Sequence, residues 1–148
     1  MIQHIRDAAT SVGITAVITN SKEKIEVQLN SLTKDGDAPI MLVSWDIDTT
    51  LNFNVNGFLD NPSSTIVALL VKKPADLTKD VSEDAAIEMA LLFRRFLQAL
   101  YSILIPYQTG AGSPITNATY KLVPKHGAGK HSGVLGKFVM RTEVGNCV

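Results

Sequence analysis

Nine residues near the end of the chain, KHGAGKHSG at 125–133, hold the densest group of side chains that could do chemistry. Two lysines and two histidines stand among three glycines, a composition seen in phosphate-binding loops and in metal sites. A P-loop needs G-x-x-x-x-G-K-[ST] followed by a helix, but Pro124 occupies the first glycine position and His131 the hydroxyl position. Zinc needs three or four ligands, and two histidines supply only part of that set. The stretch therefore predicts neither a nucleotide site nor a metal site.

The same stretch suits a flexible hairpin tip that touches another protein. We expect strands at Ala118–Val123 and Val134–Glu143 to hold its ends, while the glycines leave the tip many conformations. The interaction residues that this interpretation predicts are four cationic or titratable side chains: Lys125, His126, Lys130 and His131. They would steer the tip towards an acidic surface.

Asp46 and Asp48, in the sequence WDIDTT, are a second candidate for chemistry. Two carboxylates on one strand face could bind a divalent ion or act as an acid and base pair. More often such residues are the solvated face of a strand whose other face carries apolar side chains, here Trp45 and Ile47. No nucleophile motif is present, so we expect no catalytic residue, no cofactor, no metal and no enzymatic activity. Asparagines at 52, 54 and 56 suit either solvent or a sheet surface that meets another subunit.

Length and composition limit the class of protein to which these residues belong. The chain has 148 residues, is 45% hydrophobic, and balances 14 basic against 14 acidic residues. This predicts one globular domain over 1–148, without the net charge that recruits nucleic acid. A lone cysteine, Cys147, and an N-terminus without a secretory pattern favour an intracellular protein. The most apolar stretch, 85–105, contains Arg94 and Arg95, which argues against a membrane span.

Hydrophobic periodicity predicts the order of the elements. An N-terminal helix over 2–12 is followed by several strands, one long helix over Asp80–Leu104 and a final pair of strands. The predicted strands before the long helix are 14–19, 25–29, 40–45, 51–56 and 65–71, with turns at 31–39 and 56–64. Ile40–Val43 is apolar at every position, as in a central strand covered on both faces. The fold class is therefore α+β: an antiparallel sheet of about five to six strands, with the N-terminal helix and one long helix packed across it.

The long helix is predicted to bury a broad apolar face. Asp80 and Glu83 resemble a capping box at its start, and Pro106 ends it. The residues of the expected buried face are Ile87, Leu91, Phe93, Phe96, Leu97, Leu100 and Leu104.

The order of these elements is similar to that of one known family. The strand within Ala38–Trp45, the strand TIVALLVKK at Thr65–Lys73, the helix Asp80–Leu104 and the terminal hairpin together resemble the tail terminator proteins of long-tailed bacteriophages. The two strands and the helix look like that family's central sheet and covering helix. The loop 108–117 and the glycine-rich hairpin have no counterpart there.

The resemblance implies a structural protein of the virion, assembled in the host cytoplasm. Members of the family form a ring, usually of six copies, that caps the tail tube and joins it to the head. The implied partners are further copies of the chain, the tail tube and head-completion proteins. Two alternatives from other classes stay open. One is a small-ligand-binding or enzymatic α+β domain with a pocket between sheet and helix, and with Trp45, Asp46 and Asp48 at its mouth. The other is a non-viral interaction or structural module that dimerises through an exposed strand.

Overall fold

The computed structural model describes residues 2–18, 38–53, 59–73, 79–107, 113–126 and 131–141; at 45–53, 59–62, 79–80 and 124–126 it describes the backbone only. The elements are, in order, α1 (Ile2–Ser11), β1 (Thr15–Ile18), β2 (Ile40–Phe53), β3 (Leu59–Lys72), α2 (Lys79–Leu104), a 3₁₀ turn (Ile105–Tyr107), β4 (Ile115–His126) and β5 (His131–Arg141). The α+β prediction, with an N-terminal helix and one long helix, is confirmed.

The described strands form one sheet in the order β1-β2-β3-β5-β4. Three neighbouring pairs are antiparallel, whereas β1 and β2 are parallel. The sheet is therefore mixed, where the sequence predicted an antiparallel one. A parallel pair needs a connection of about a dozen residues or more, and residues 19–39 are long enough. The predicted strand 25–29 falls in this connection and lies outside the described residues.

Both helices cover the same face of the sheet. α2 packs on β5 and β4, and α1 packs beside α2. Phe93, Phe96 and Leu100 of α2 are fully buried there. Burial of each such side chain contributes about 1.5–3 kcal/mol. By length and composition α2 could cross a membrane, but core helices pass the same test, and α2 has this core-facing side.

The face of the sheet opposite the helices carries a smaller apolar cluster. Ile40, Leu42 and Val71 are buried in it, while Met41 and Val43 point into the main core on the other side. The prediction that Ile40–Val43 is covered on both faces is confirmed.

The strands are longer than turn chemistry predicted. β3 begins at Leu59 and therefore includes most of the predicted turn 56–64. Pro62 lies where two residues of β3 oppose one of β2, between the pairs Thr50–Ser63 and Asn52–Asp60. A bulge tolerates proline because no ladder donor is required there. Pairing with β2 thus overrides the local turn signal.

Two details of α2 differ from the prediction. The helix begins at Lys79, so Asp80 lies in its first turn and is not its cap. Ile87 and Leu91, predicted to be buried, are 49% and 55% exposed. Small residues take their place in the interface, with Ala86 and Ala90 packed into the protein.

Candidate interaction surface

Strand β4 lies at an edge of the sheet and pairs, among the described strands, only with β5. Its residues from Thr116 to Leu122 are all exposed. Asn117 has a φ of 53° and lies in a bulge, where Asn117 and Ala118 have no pairing partner in β5. After the bulge the strand is regular from Thr119 to Val123. β4 therefore presents an extended strand edge to its surroundings.

An aromatic contact fixes the position of α2 relative to β4. The Phe93 ring lies against Gly136 of β5, where a Cβ would come within 2.7 and 2.8 Å of two ring carbons. Tyr120 is paired with Gly136 and meets Phe93 edge-on, with 6.4 Å between ring centroids. The absence of a side chain at Gly136 lets the helix lie close to the sheet.

Arg94 connects the helix to the exposed edge strand. Its Nη2 donates a hydrogen bond of 2.7 Å to the Tyr120 hydroxyl. Its guanidinium carbon lies 5.5 Å from the Tyr120 ring centroid, within range of a cation–π contact. Both side chains are exposed, so this contact positions a surface residue and does not form part of the core.

A groove runs between the C-terminal half of α2 and the start of β4. Its volume is about 540 Å³. The lining residues are Leu97, Gln98, Tyr101, Ser102, Ile115 and Ala118. Among the described residues its lining has no carboxylate, imidazole or amine, and these side chains offer an apolar contact with a few neutral hydrogen-bonding groups.

The large apolar side chains that are exposed concentrate on this side of the molecule. Of eight in the described residues, seven belong to α2, the turn after it, or β4: Ile87, Leu91, Tyr101, Ile105, Tyr107, Tyr120 and Leu122. Four of these residues form a series with Arg94 and Gln98 that advances in steps of four and three residues: 87, 91, 94, 98, 101 and 105. This spacing places the six side chains along one side of α2 and the turn after it. The Tyr107 ring lies against His4 of α1 and is left out. We call the other eight residues the α2–β4 surface: Ile87, Leu91, Arg94, Gln98, Tyr101, Ile105, Tyr120 and Leu122. Its spacing is that of a helix side that receives another protein element.

The predicted interaction residues are distributed differently. The described strands reach His126 and His131, which pair with each other, so the connection between them is shorter than the predicted tip. His131 is only 4% exposed, and the prediction that it belongs to a solvated tip is wrong. Lys125 and His126 are in the last residues of β4, but their side chains lie outside the described set, as does all of Lys130.

Gly133 belongs to a strand, although the sequence places it in the predicted hairpin tip. It lies inside β5 and is paired with Val71, not in a mobile loop. A Cβ there would collide with the backbone carbonyl of Leu70 and lie 2.8 Å from a methyl of Val71. The glycine is thus explained by close packing of two strands, and Ser132 beside it is also buried.

The remaining candidate residues lie away from the groove. Trp45, Asp46 and Asp48 lie on β2, three strands away from the groove in the sheet order, so they do not form its mouth. Their side chains, and that of Asn52, lie outside the described set. Within the residues whose placement is described, no group of three or more histidine, cysteine or acidic side chains could hold a metal.

Sequence reasoning missed the residues of the α2–β4 surface. The signal was present, because Ile87, Leu91, Arg94, Gln98 and Tyr101 recur in steps of four and three. It was hidden because α2 is apolar on several sides, so periodicity alone could not tell the buried side from the exposed one. Comparison with protein-family models, curated proteins and solved structures finds no match for this chain.

Proposed function

We propose that this protein is a non-enzymatic structural subunit that resembles a phage tail terminator. It forms an oligomeric ring at the head-proximal end of the tail, and its other partners are the tail tube and head-completion proteins. It would then be found in the virion and, during assembly, in the host cytoplasm.

The observation that supports this proposal is the α2–β4 surface. Monomeric proteins usually scatter their exposed apolar side chains, and a concentration of them marks an interaction site. Leu91 and Tyr101, at 55% and 42% exposure, lie on a rigid helix whose opposite side is anchored in the core. A rigid, partly apolar side next to an open strand edge suits a permanent contact between subunits.

Native mass spectrometry and light scattering, over a range of protein concentrations, test the proposal. We expect a single closed oligomer, and negative-stain images with a central opening. Leu91→Ser should weaken assembly, whereas Ile2→Ser, which also removes an exposed apolar side chain but from α1, should leave it unchanged. A wild-type protein that stays monomeric at high concentration would refute the ring. Genes for tail-tube and head-completion proteins should lie beside this gene.

The groove favours a second candidate function, a small-ligand-binding domain. Its volume of about 540 Å³ is in the usual range for ligand pockets. Leu97 and Ile115 would contact an apolar ligand, and Gln98, Tyr101 and Ser102 would supply hydrogen bonds. A thermal-shift screen of neutral apolar compounds tests this function. Stabilisation lost in Ala118→Phe, which fills the groove, would support it.

A further inference from the structure

The charges of this chain are segregated along the sequence although they sum to zero. Residues 1–90 carry 13 acidic and 7 basic side chains, whereas residues 91–148 carry 1 acidic and 7 basic. The fold converts this segregation into a separation in space. The C-terminal part supplies β4, β5 and most of the helix side facing them, and the N-terminal part supplies β1 and β2 at the other end of the sheet.

The α2–β4 side is the basic end. Arg94 contacts Tyr120 of β4, Lys121 is exposed on β4 itself, and Arg95 is exposed on the helix one turn from Leu91. The nearest described acid on the helix, Glu88, forms an ion pair of 3.0 Å with Lys72. The local field at this edge is therefore positive.

At the opposite end of the sheet, part of β2 has no outer neighbour among the described strands, and this part carries acidic residues. β1 pairs only with Ile40–Val43, so among the described strands the outer side of β2 from Ser44 to Phe53 has no neighbour. This outer β2 edge carries Asp46 and Asp48 and no basic residue. Asp46 and Asp48 thus lie on a part of β2 whose neighbour, among the described strands, is β3 alone.

The charges decide which kind of self-contact is favourable. A two-fold contact between two α2–β4 surfaces would bring Arg94, Arg95 and Lys121 against their own copies, with like charges opposed. A head-to-tail contact brings the basic edge of one copy to the acidic edge of the next. Contacts of this kind close into rings when the rotation between copies allows it.

Strand direction is compatible with the head-to-tail contact. β2 is antiparallel to β3, β3 to β5, and β5 to β4, so β4 runs opposite to β2. Rotation about an axis along the strands preserves these directions. The β4 edge of one copy would then meet the outer β2 edge of the next as an antiparallel pair, the arrangement used when a strand is added to a sheet edge.

We propose that the α2–β4 surface, with its flanking Arg95 and Lys121, docks onto the outer β2 edge of a second copy of this chain. The proposal rests on the proposed ring function and assigns the contact that builds the ring. The partner is identified by its chemistry: an acidic strand edge that complements a basic one.

Charge exchange tests this contact. Arg95→Glu with Lys121→Glu makes both edges acidic, and Asp46→Lys with Asp48→Lys makes both basic. Either variant alone should raise the apparent dissociation constant by roughly tenfold or more. An equimolar mixture of the two, or one chain carrying all four changes, restores complementary edges and should assemble like the wild type. Arg94 is left intact because it binds Tyr120.

A control variant separates a local contact from an effect of net charge. Arg6→Glu with Lys73→Glu changes the net charge as much as the first variant does, but at α1 and after β3. It should assemble normally. Circular dichroism melts check that each variant is folded. The wild type gives an independent measurement, because its assembly should weaken as NaCl rises from about 0.05 to about 0.5 M, roughly from weak to strong screening of charges.

The outcomes distinguish this inference from the function on which it rests. A monomeric wild type would overturn both. A wild-type ring whose assembly is unaffected by the Asp46 and Asp48 changes would overturn the inference and leave the ring standing. Assembly that strengthens with salt would also overturn it, because screening then relieves repulsion between like-charged edges.

Discussion

Replacing Gly136 with alanine probes the closest approach of α2 to the sheet. The added methyl group would lie within 2.7 and 2.8 Å of two ring carbons of Phe93, and closer still to the carbon at the tip of the ring. The ring cannot simply turn away, because it is fully buried and contacts Phe96 and Phe138. Either the helix must move outwards or the aromatic cluster must repack.

The expected cost follows from overpacking a dense core. Inserting a methyl group into such a site typically costs about 1–3 kcal/mol. For a domain of this length, 1 kcal/mol corresponds to about 2–4 °C in melting temperature, so Tm should fall by about 2–12 °C. Urea unfolding, followed by circular dichroism, measures the free energy directly. The midpoint should shift while the slope stays constant.

A double-mutant cycle shows whether the collision is the cause. Phe93→Leu removes the ring carbons that the new methyl group meets. The double variant should therefore be more stable than the sum of the two single effects predicts, by about 0.5–3 kcal/mol. If Gly136→Ala changes stability by less than about 0.5 kcal/mol, or if the two substitutions are additive, the assigned packing of α2 against β5 is wrong.

Three further predictions concern the remainder of the fold. Tyr120→Phe deletes the hydrogen bond of 2.7 Å from Arg94. Because the pair is exposed, we expect chemical denaturation to show a loss of less than about 1 kcal/mol in the free energy of unfolding, and a larger loss would refute a surface role. Gly13 has a φ of 80° with open space around it, so Gly13→Ala should lower stability by about 1–2 kcal/mol through the backbone alone, and Gly13→Asn by less. Burial is the main cause that lowers the pKa of His4 below 6.5, and the N-terminal ammonium is the second cause. The stability that neutral His4 contributes is therefore fully present above about pH 6.5 and is lost as the pH falls below that value. His4→Gln should therefore flatten the change of Tm between about pH 7.5 and 5.5, and an unchanged pH profile would contradict this.

The long helix shows what periodicity can and cannot predict. Its range was predicted to within one residue, because the apolar spacing and Pro106 point to the same segment, although Asp80 is not the cap. Which side it buries was only partly predictable. Phe93, Phe96 and Leu100 are buried as expected, but Ile87 and Leu91 are not. Alanines let α2 approach the rest of the protein more closely than large side chains do. A pattern weighted by hydrophobicity instead predicts that the large side chains are the buried ones.

The strands show where long-range pairing overrides local signals. Residues 59–64 have the composition of a turn, yet they extend β3 because β2 offers a continuous partner. His131, Ser132 and Gly133 were assigned to a loop by the same reasoning, yet they form the first residues of β5 beside β3. In both places turn-forming residues occur inside a strand, and only the neighbouring strand decides the outcome.

The candidate site was the least predictable part. The sequence directed attention to histidines and lysines in a glycine-rich stretch, since those side chains do chemistry elsewhere. In the structure the candidate site contains Leu91, Tyr101 and Tyr120, which can contact a partner because their side chains are exposed. Exposure is a property of the whole fold, so no short motif encodes it.

The position of β5 in the sheet has a consequence for synthesis of the chain. β5 lies between β3 and β4. Lys72 of β3 pairs with Ser132, sixty residues later, and the other pairs of these two strands are further apart in the chain. As the ribosome releases the chain, the edge of β3 that pairs with β5 stays without this partner until β5 has emerged. Such distant pairing is slow to form, and an open apolar edge can pair with another nascent chain. A product truncated before His131 should therefore aggregate, whereas a chain that includes β5 closes this side of its own sheet.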